Sequence, residues 1–209
     1  MSSLRTFGGD KRSAKKARLK ERDGARGACI LRKLVRLPDV GVIILGLLGV
    51  EHIPDSMRGH RRTMLAVVRL NGRALRHASQ QLRGSRLVVL AAVKQRGYAL
   101  QWASEQLKGD REVVLVAAKQ CGSALEHASP ELRGDRKVVL AVVARHGWAL
   151  GWASRQLQGD RDVVLAAVRQ YGKALWSASQ QLQCDREVAL AAVRQDGKAL
   201  RFASQQAEE

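Results

Sequence analysis

The chain has 209 residues, of which 45% are hydrophobic and only 4% aromatic. The hydrophobic fraction excludes a wholly disordered chain, and abundant alanine, leucine and valine beside few aromatics favour packed helices over a β-sandwich. The formal net charge of +18 predicts attraction to polyanions, although charge alone identifies no particular partner.

Residues 1–35 are rich in lysine, arginine, serine and glycine, which predicts a flexible basic tail. Six cations in this tail resemble a nuclear import signal: Lys11, Arg12, Lys15, Lys16, Arg18 and Lys20. An organelle transit peptide is the alternative, which the acidic residues Asp10, Glu21 and Asp23 weaken. Three cysteines without a CxxC pair indicate a reducing compartment. The sequence therefore predicts an intracellular protein, with the nucleus favoured.

Residues 36–58 align loosely with the sequence that follows them and are predicted to form a degenerate N-terminal capping repeat. The most apolar run, residues 40–50, is shorter than the roughly 20 residues that a membrane-spanning helix needs. No transmembrane span is therefore predicted.

From residue 59 to residue 209 the sequence repeats with a period of 25 residues, without insertion or deletion. Glycines recur at Gly72, Gly97, Gly122, Gly147, Gly172 and Gly197. Three residues after each glycine stands a leucine: Leu75, Leu100, Leu125, Leu150, Leu175 and Leu200. These residues predict an array of six units.

Each unit reads as two helices. In residues 109–133, Asp110 is the expected N-cap of the first helix, and Gly122 is expected to end it in a left-handed conformation. Leu115 is the expected core leucine of that helix. A shorter second helix carries Leu125, and Ser129 opens a final turn.

A buried β-strand in place of the first helix is the rival interpretation. The apolar run does not alternate and is flanked by helix-start and helix-stop residues, so the helix is favoured. An isolated helix of this length is marginal in water. The sequence therefore predicts an all-α fold, a short α-solenoid of six 25-residue helix-turn-helix repeats.

The pattern GDREVVLxAVxQxGxALxxAS, seen from Gly109, Gly134 and Gly159 and with Cys184 in place of the glycine, resembles the helical repeat family domain of unknown function 4116. The resemblance covers roughly 150 of the 209 residues. It implies tandem helical repeats and brings no activity, ligand or functional residue. The first copy departs from the pattern, since His60 stands where later copies have aspartate.

Positive charge concentrates towards the N-terminus, because residues 1–108 contain 23 Lys and Arg against 7 Asp and Glu. Seven arginines are candidates for polyanion binding: Arg61, Arg62, Arg69, Arg73, Arg76, Arg83 and Arg86. One repeat position holds arginine in all six units, at Arg61, Arg86, Arg111, Arg136, Arg161 and Arg186. Pairing with acids at the junctions between units is the favoured interpretation of this ladder, with phosphate binding as the alternative.

Aromatic residues recur at 50-residue spacing, at Trp102, Trp152 and Phe202. Alternating large and small residues in the core explain this better than a ladder that stacks on a ligand, and the offset of Trp176 agrees with core packing.

No catalytic, metal-binding or cofactor-binding pattern is recognisable, because the five histidines stand in different repeat contexts. The favoured function is a non-enzymatic helical-repeat scaffold for protein–protein interaction, with a specificity row at Arg96, Cys121, His146, Tyr171 and Asp196. The alternative is a nucleic-acid-binding repeat protein that uses its basic N-terminal half. The identity of the partner and the oligomeric state stay open.

Overall fold

The structure is a computed structural model that describes Ile53 and residues 58–203. The described array lies within one compact unit, Asp55–Glu209. The predicted basic tail and import signal, and the predicted capping repeat except for Ile53 and Arg58, lie outside the described residues.

Each unit of the array contains a long α-helix and a 3₁₀ helix, and the first five units, whose last residues the structure describes, also contain a short α-helix. The long helices are Arg61–Leu70, Arg86–Gln95, Arg111–Gln120, Arg136–Val143, Arg161–Gln170 and Arg186–Gln195. The 3₁₀ helices are Gly72–His77, Gly97–Trp102, Gly122–His127, Gly147–Trp152, Gly172–Ser177 and Gly197–Phe202. The short helices are Gln80–Arg83, Glu105–Lys108, Pro130–Arg133, Arg155–Gln158 and Gln180–Gln183.

Residues 58–203 contain no β-strand, so the prediction of an all-α array of six units is confirmed and the rival strand is excluded there. The second helix of each predicted pair is a 3₁₀ helix. Among the described residues, no helix has the length and apolar character needed to cross a membrane.

Aspartate caps the long helices of the third to sixth units as predicted. The carboxylate of Asp110 accepts hydrogen bonds from the backbone N–H groups of Glu112 at 2.9 Å and Val113 at 3.1 Å, which satisfies donors that the helix leaves unpaired. Asp135 and Asp185 do the same in their units. His60 makes no side-chain capping hydrogen bond, in keeping with the departure of the first copy from the pattern.

The prediction that Gly122 adopts a left-handed conformation is wrong. None of the described glycines has a φ in the left-handed region, and Gly122 is the first residue of a 3₁₀ helix. Glycine is needed there because the next unit comes too close for a side chain. A Cβ atom at Gly97 would lie 2.2 Å from the carbonyl oxygen of Ala117, and one at Gly147 would lie 2.3 Å from that of Ala167.

The core lies between the long helices and the 3₁₀ helices. The leucine of the 3₁₀ helix is fully buried in the first five units, at Leu75, Leu100, Leu125, Leu150 and Leu175. Two consecutive valines of the long helix, such as Val113 and Val114, pack with it and are also fully buried. The expectation that Leu115 is the core leucine is wrong, because its side chain is half-buried.

Backbone hydrogen bonds join consecutive units. From the second unit to the fifth, the N–H of the serine before the short helix donates to the carbonyl at the end of the preceding short helix, as in Ser104 to Arg83 at 3.0 Å and Ser129 to Lys108 at 2.9 Å. The long helices also pack side by side with the long helix of the next unit, and so do the 3₁₀ helices. The array therefore presents a row of long helices and a row of 3₁₀ helices.

Candidate ligand-binding groove

The arginine ladder holds neighbouring units in register. Arg136 donates to Asp160 at 2.8 Å and to Asp162 at 2.6 Å, both in the next unit. Arg86 and Arg161 each contact two acids in the same way. Arg111 has one longer ion pair, at 3.7 Å to Asp135. The pairing interpretation is thus confirmed for these four arginines.

The same contacts shift the acid–base behaviour of the paired carboxylates. The hydrogen bond from Arg136 lowers the pKa of Asp160 most strongly, and burial partly opposes it. The stability that Asp160 contributes is therefore present above its unfolded pKa and is lost as the pH falls through its lower folded pKa.

The candidate polyanion-binding arginines do not form one uniform surface. Arg86 is paired with Asp110 and Glu112, as the ladder interpretation predicted, so acids of the next unit compensate its charge. Arg83 donates to the carbonyls of Ala78 and Arg76, and Arg76 donates to the Nε2 of His77. Four of the candidates are exposed and make no ion pair within the described part of the chain: Arg61, Arg62, Arg69 and Arg73.

An apolar and basic groove lies between the first two long helices. Its volume is about 640 Å³, and Leu65, Leu87 and Leu90 line it together with Arg69 and Lys94. It brings one exposed candidate arginine, Arg69, next to the paired Arg86. The other candidates do not line it.

A second groove, of about 450 Å³, lies on the row of 3₁₀ helices in the last three units. We call it the aromatic groove, because five aromatic side chains line it: Trp148, Trp152, Tyr171, Trp176 and Phe202. Lys173 and Arg201 supply its charge. Within the predicted specificity row, only Tyr171 lines the groove.

Two small residues leave room for the aromatic groove. In the repeat position of Gly151 other units have Arg76, Gln101 and Glu126, and Ser177 occupies a position that holds histidine, tryptophan or phenylalanine in every other unit. A Cβ atom at Gly151 would lie 3.2 Å from the hydroxyl oxygen of Ser177. The absence of these side chains therefore opens the floor between Trp152 and Phe202.

The expectation of core packing is wrong for Trp152 and for Trp176, which are exposed, whereas Trp102 and Phe202 are half-buried. Trp176 is 72% exposed, Trp148 38% and Trp152 36%. A cluster of exposed aromatic side chains of this kind is a candidate site for a partner or ligand. The sequence did contain one signal of it, since Gly151 is a glycine outside the 25-residue register of the repeat glycines.

The two cations of the groove are held by neighbours. The Nζ of Lys173 lies 3.6 Å from Asp196, and the guanidinium of Arg201 lies 4.6 Å from the ring centre of Phe202. Hydrogen bonding from the backbone N–H of Lys198, opposed by desolvation and aided by Lys173, lowers the pKa of Asp196. The groove is thus aromatic with a positive rim.

His127 packs against an aromatic side chain of the preceding unit. Its ring packs edge-on against Tyr98 with 4.8 Å between the ring centres, and burial lowers its pKa. Across Ile53 and residues 58–203, no group of three or more histidine, cysteine, aspartate or glutamate side chains is arranged to hold a metal ion.

Comparison with known families gives one match. The model of the family described as "Domain of unknown function (DUF4116)" matches the chain three times, over residues 85–133, 135–183 and 160–206. No curated protein and no solved structure matches the chain. The matched segments include all five aromatic residues of the groove.

Proposed function

The chain belongs to the family described as domain of unknown function (DUF4116), and from that premise we propose that it is a non-enzymatic helical-repeat scaffold that binds a protein partner through the aromatic groove. The observation that carries the proposal is the convergence of Trp148, Trp152 and Trp176 in one surface groove. Tryptophan and tyrosine dominate the energetic centres of protein interfaces, because they bury large areas with few rotatable bonds.

The composition of the groove supports binding in preference to catalysis. Its lining includes no carboxylate, histidine or thiol in the described chain, so the lining offers no histidine or carboxylate to activate the hydroxyl of Ser177 as a nucleophile. The repeat architecture supports the same function, because stacked units form an extended surface whose exposed positions vary from unit to unit.

Nucleic-acid binding by the basic N-terminal half stays a prediction. In the described part it depends on Arg61, Arg62, Arg69 and Arg73, which are exposed and make no ion pair there. It requires affinity for DNA or RNA that weakens steeply as the salt concentration rises.

Selection of peptides from a random phage-displayed library against the full chain tests the proposed function. We expect enriched peptides that bind the wild type and lose binding to Gly151→Gln, because the added side chain fills the groove floor. Gln101 occupies the same repeat position in another unit, so the fold accommodates this residue there.

Glu126→Gln is the matched control, since it places glutamine at the same repeat position outside the groove. Enriched peptides should bind it as tightly as the wild type. Failure to enrich any peptide, or enrichment of peptides that bind Gly151→Gln equally well, would contradict the proposed function.

A further inference from the structure

We propose that the segment held in the aromatic groove is a proline-rich peptide in the polyproline II conformation, with acidic residues beside its prolines. This inference rests on the proposed function, for which it specifies the chemistry of the partner. Three properties of the groove carry it: its hydrogen-bonding groups, its shape and its charge.

The side chains of the groove offer more hydrogen-bond donors than acceptors. The indole N–H groups of Trp148, Trp152 and Trp176 and the cations Lys173 and Arg201 only donate, and the side-chain acceptors of the lining are the hydroxyls of Tyr171 and Ser177, which also donate. Two backbone carbonyls of the groove already accept hydrogen bonds, that of Gly151 from Gln158 and that of Trp176 from Gln183, each at 3.2 Å.

A ligand that suits such a groove offers many acceptors and few donors. Proline has a carbonyl group and no backbone N–H, and the carbonyls of a polyproline II helix are free of internal hydrogen bonds. A strand or a glycine-rich segment would bring N–H groups that lose water without finding acceptors, which costs free energy.

The shape of the groove agrees with this ligand. It runs over three consecutive 3₁₀ helices, Gly147–Trp152, Gly172–Ser177 and Gly197–Phe202, and its walls are aromatic rings. Proline-rich segments bind to aromatic-lined grooves because their preformed helix loses little conformational entropy.

The charge of the groove selects acidic residues beside the prolines. Lys173 and Arg201 are the cations of the lining, and the lining holds no carboxylate within the described residues. Single-stranded nucleic acid also stacks on aromatic rings, but it brings one phosphate per nucleotide and binds in strongly basic grooves. The groove has five aromatic side chains and only two cations, and one of these cations, Lys173, is already paired with Asp196. A peptide with few negative charges therefore suits the groove better than a nucleic acid does.

Titration of the full chain with synthetic peptides tests the inference. The probe is a proline-rich peptide with glutamates between its prolines, about twelve residues long, which extends at about 3.1 Å per residue in the polyproline II conformation. Binding is followed by tryptophan fluorescence, since three of the four tryptophans line the groove. Two further peptides replace the glutamates by lysine or the prolines by alanine, and an oligouridine of similar length is the nucleic-acid arm.

We expect saturable binding of the glutamate peptide and binding weaker by about tenfold or more for the lysine peptide, because like charges then meet at the rim. The alanine peptide should weaken by a similar factor, because it must be ordered on binding. Gly151→Gln and Trp176→Ala should lose the interaction, and Glu126→Gln should keep it. Arg201→Glu should reduce or reverse the preference for the glutamate peptide. Thermal melting of each variant confirms that it is folded.

Equal binding of the proline and alanine peptides would overturn the inference. The inference would also be overturned if oligouridine bound more tightly than the glutamate peptide and this binding were lost in Gly151→Gln. The groove would then be a nucleic-acid site. If none of these probes binds while selected phage peptides still require the open groove, the polyproline assignment fails and the proposed function stands. If the selected peptides also ignore Gly151→Gln, the proposed function fails with it.

Discussion

Replacing Leu125 by alanine is expected to lower the free energy of unfolding of the array by about 2 to 5 kcal/mol, the usual cost of removing a buried leucine and leaving a cavity. Leu125 is fully buried in the 3₁₀ helix of the third unit. The core around it has consecutive units on both sides, so it cannot collapse around the cavity without disturbing them. Chemical denaturation of the full chain, followed by circular dichroism, measures the change.

Leu200 provides the matched control for this experiment. It occupies the same repeat position in the sixth unit, where it is 65% exposed. Leu200→Ala should therefore change stability by less than about 0.5 kcal/mol, as surface substitutions usually do. Similar losses for the two variants would contradict the stacking of consecutive units over this leucine.

Gly97→Ala is expected to destabilise the array by at least about 1 to 3 kcal/mol, the cost of forcing extra atoms into a packed interior. The new Cβ would lie 2.2 Å from the carbonyl oxygen of Ala117 in the next unit. That oxygen accepts a hydrogen bond from Cys121 at 3.0 Å, so it cannot move aside without breaking the end of a helix. Thermal melting compares the variant with the wild type.

Gly197→Ala tests whether glycine is needed at this repeat position for its backbone conformation or only to avoid the clash with the next unit. The position is the equivalent one in the sixth unit, and no described atom lies within 4 Å of a Cβ placed there. We expect its melting temperature to stay close to that of the wild type. A large loss at Gly197 as well would mean that glycine is required for its backbone conformation, against the inter-unit packing described above.

The features that local chemistry decides could be predicted from the sequence. Asp110 caps its helix because a carboxylate beside free N–H groups is stabilising in any context, and the 25-residue period indicated stacking because one unit alone cannot bury its apolar side chains. The pairing of Arg136 with the acids of the next unit followed from the same repetition.

The features that depend on how close consecutive units approach could not be predicted. The repeat glycines suggested a left-handed helix end, but the reason for them is the neighbouring carbonyl, as at Gly97 and Ala117. Leu115 and Leu125 are equally apolar in the sequence, and only the rotation of the long helix leaves Leu115 half-buried.

The aromatic groove was missed for a related reason. Its residues come from three units, and the period suggested that Trp152 and Phe202 alternate within a core. The row of 3₁₀ helices is exposed, and Gly151 and Ser177 are small. The aromatic side chains at these positions therefore form the walls of a groove. Comparison of each repeat position across the six units would have identified Gly151 as the exception.

A ¹H–¹⁵N spectrum of the full chain tests most directly whether the aromatic groove is the binding site, because each of the four tryptophans gives one indole N–H signal. Trp148, Trp152 and Trp176 line the aromatic groove, whereas Trp102 lies two units away from its first wall and does not line it. When a peptide selected on phage is added, we expect these three signals to shift and the signal of Trp102 to stay unchanged. A bound peptide that shifts Trp102 alone, or no indole signal, would contradict the assignment of the groove as the binding site.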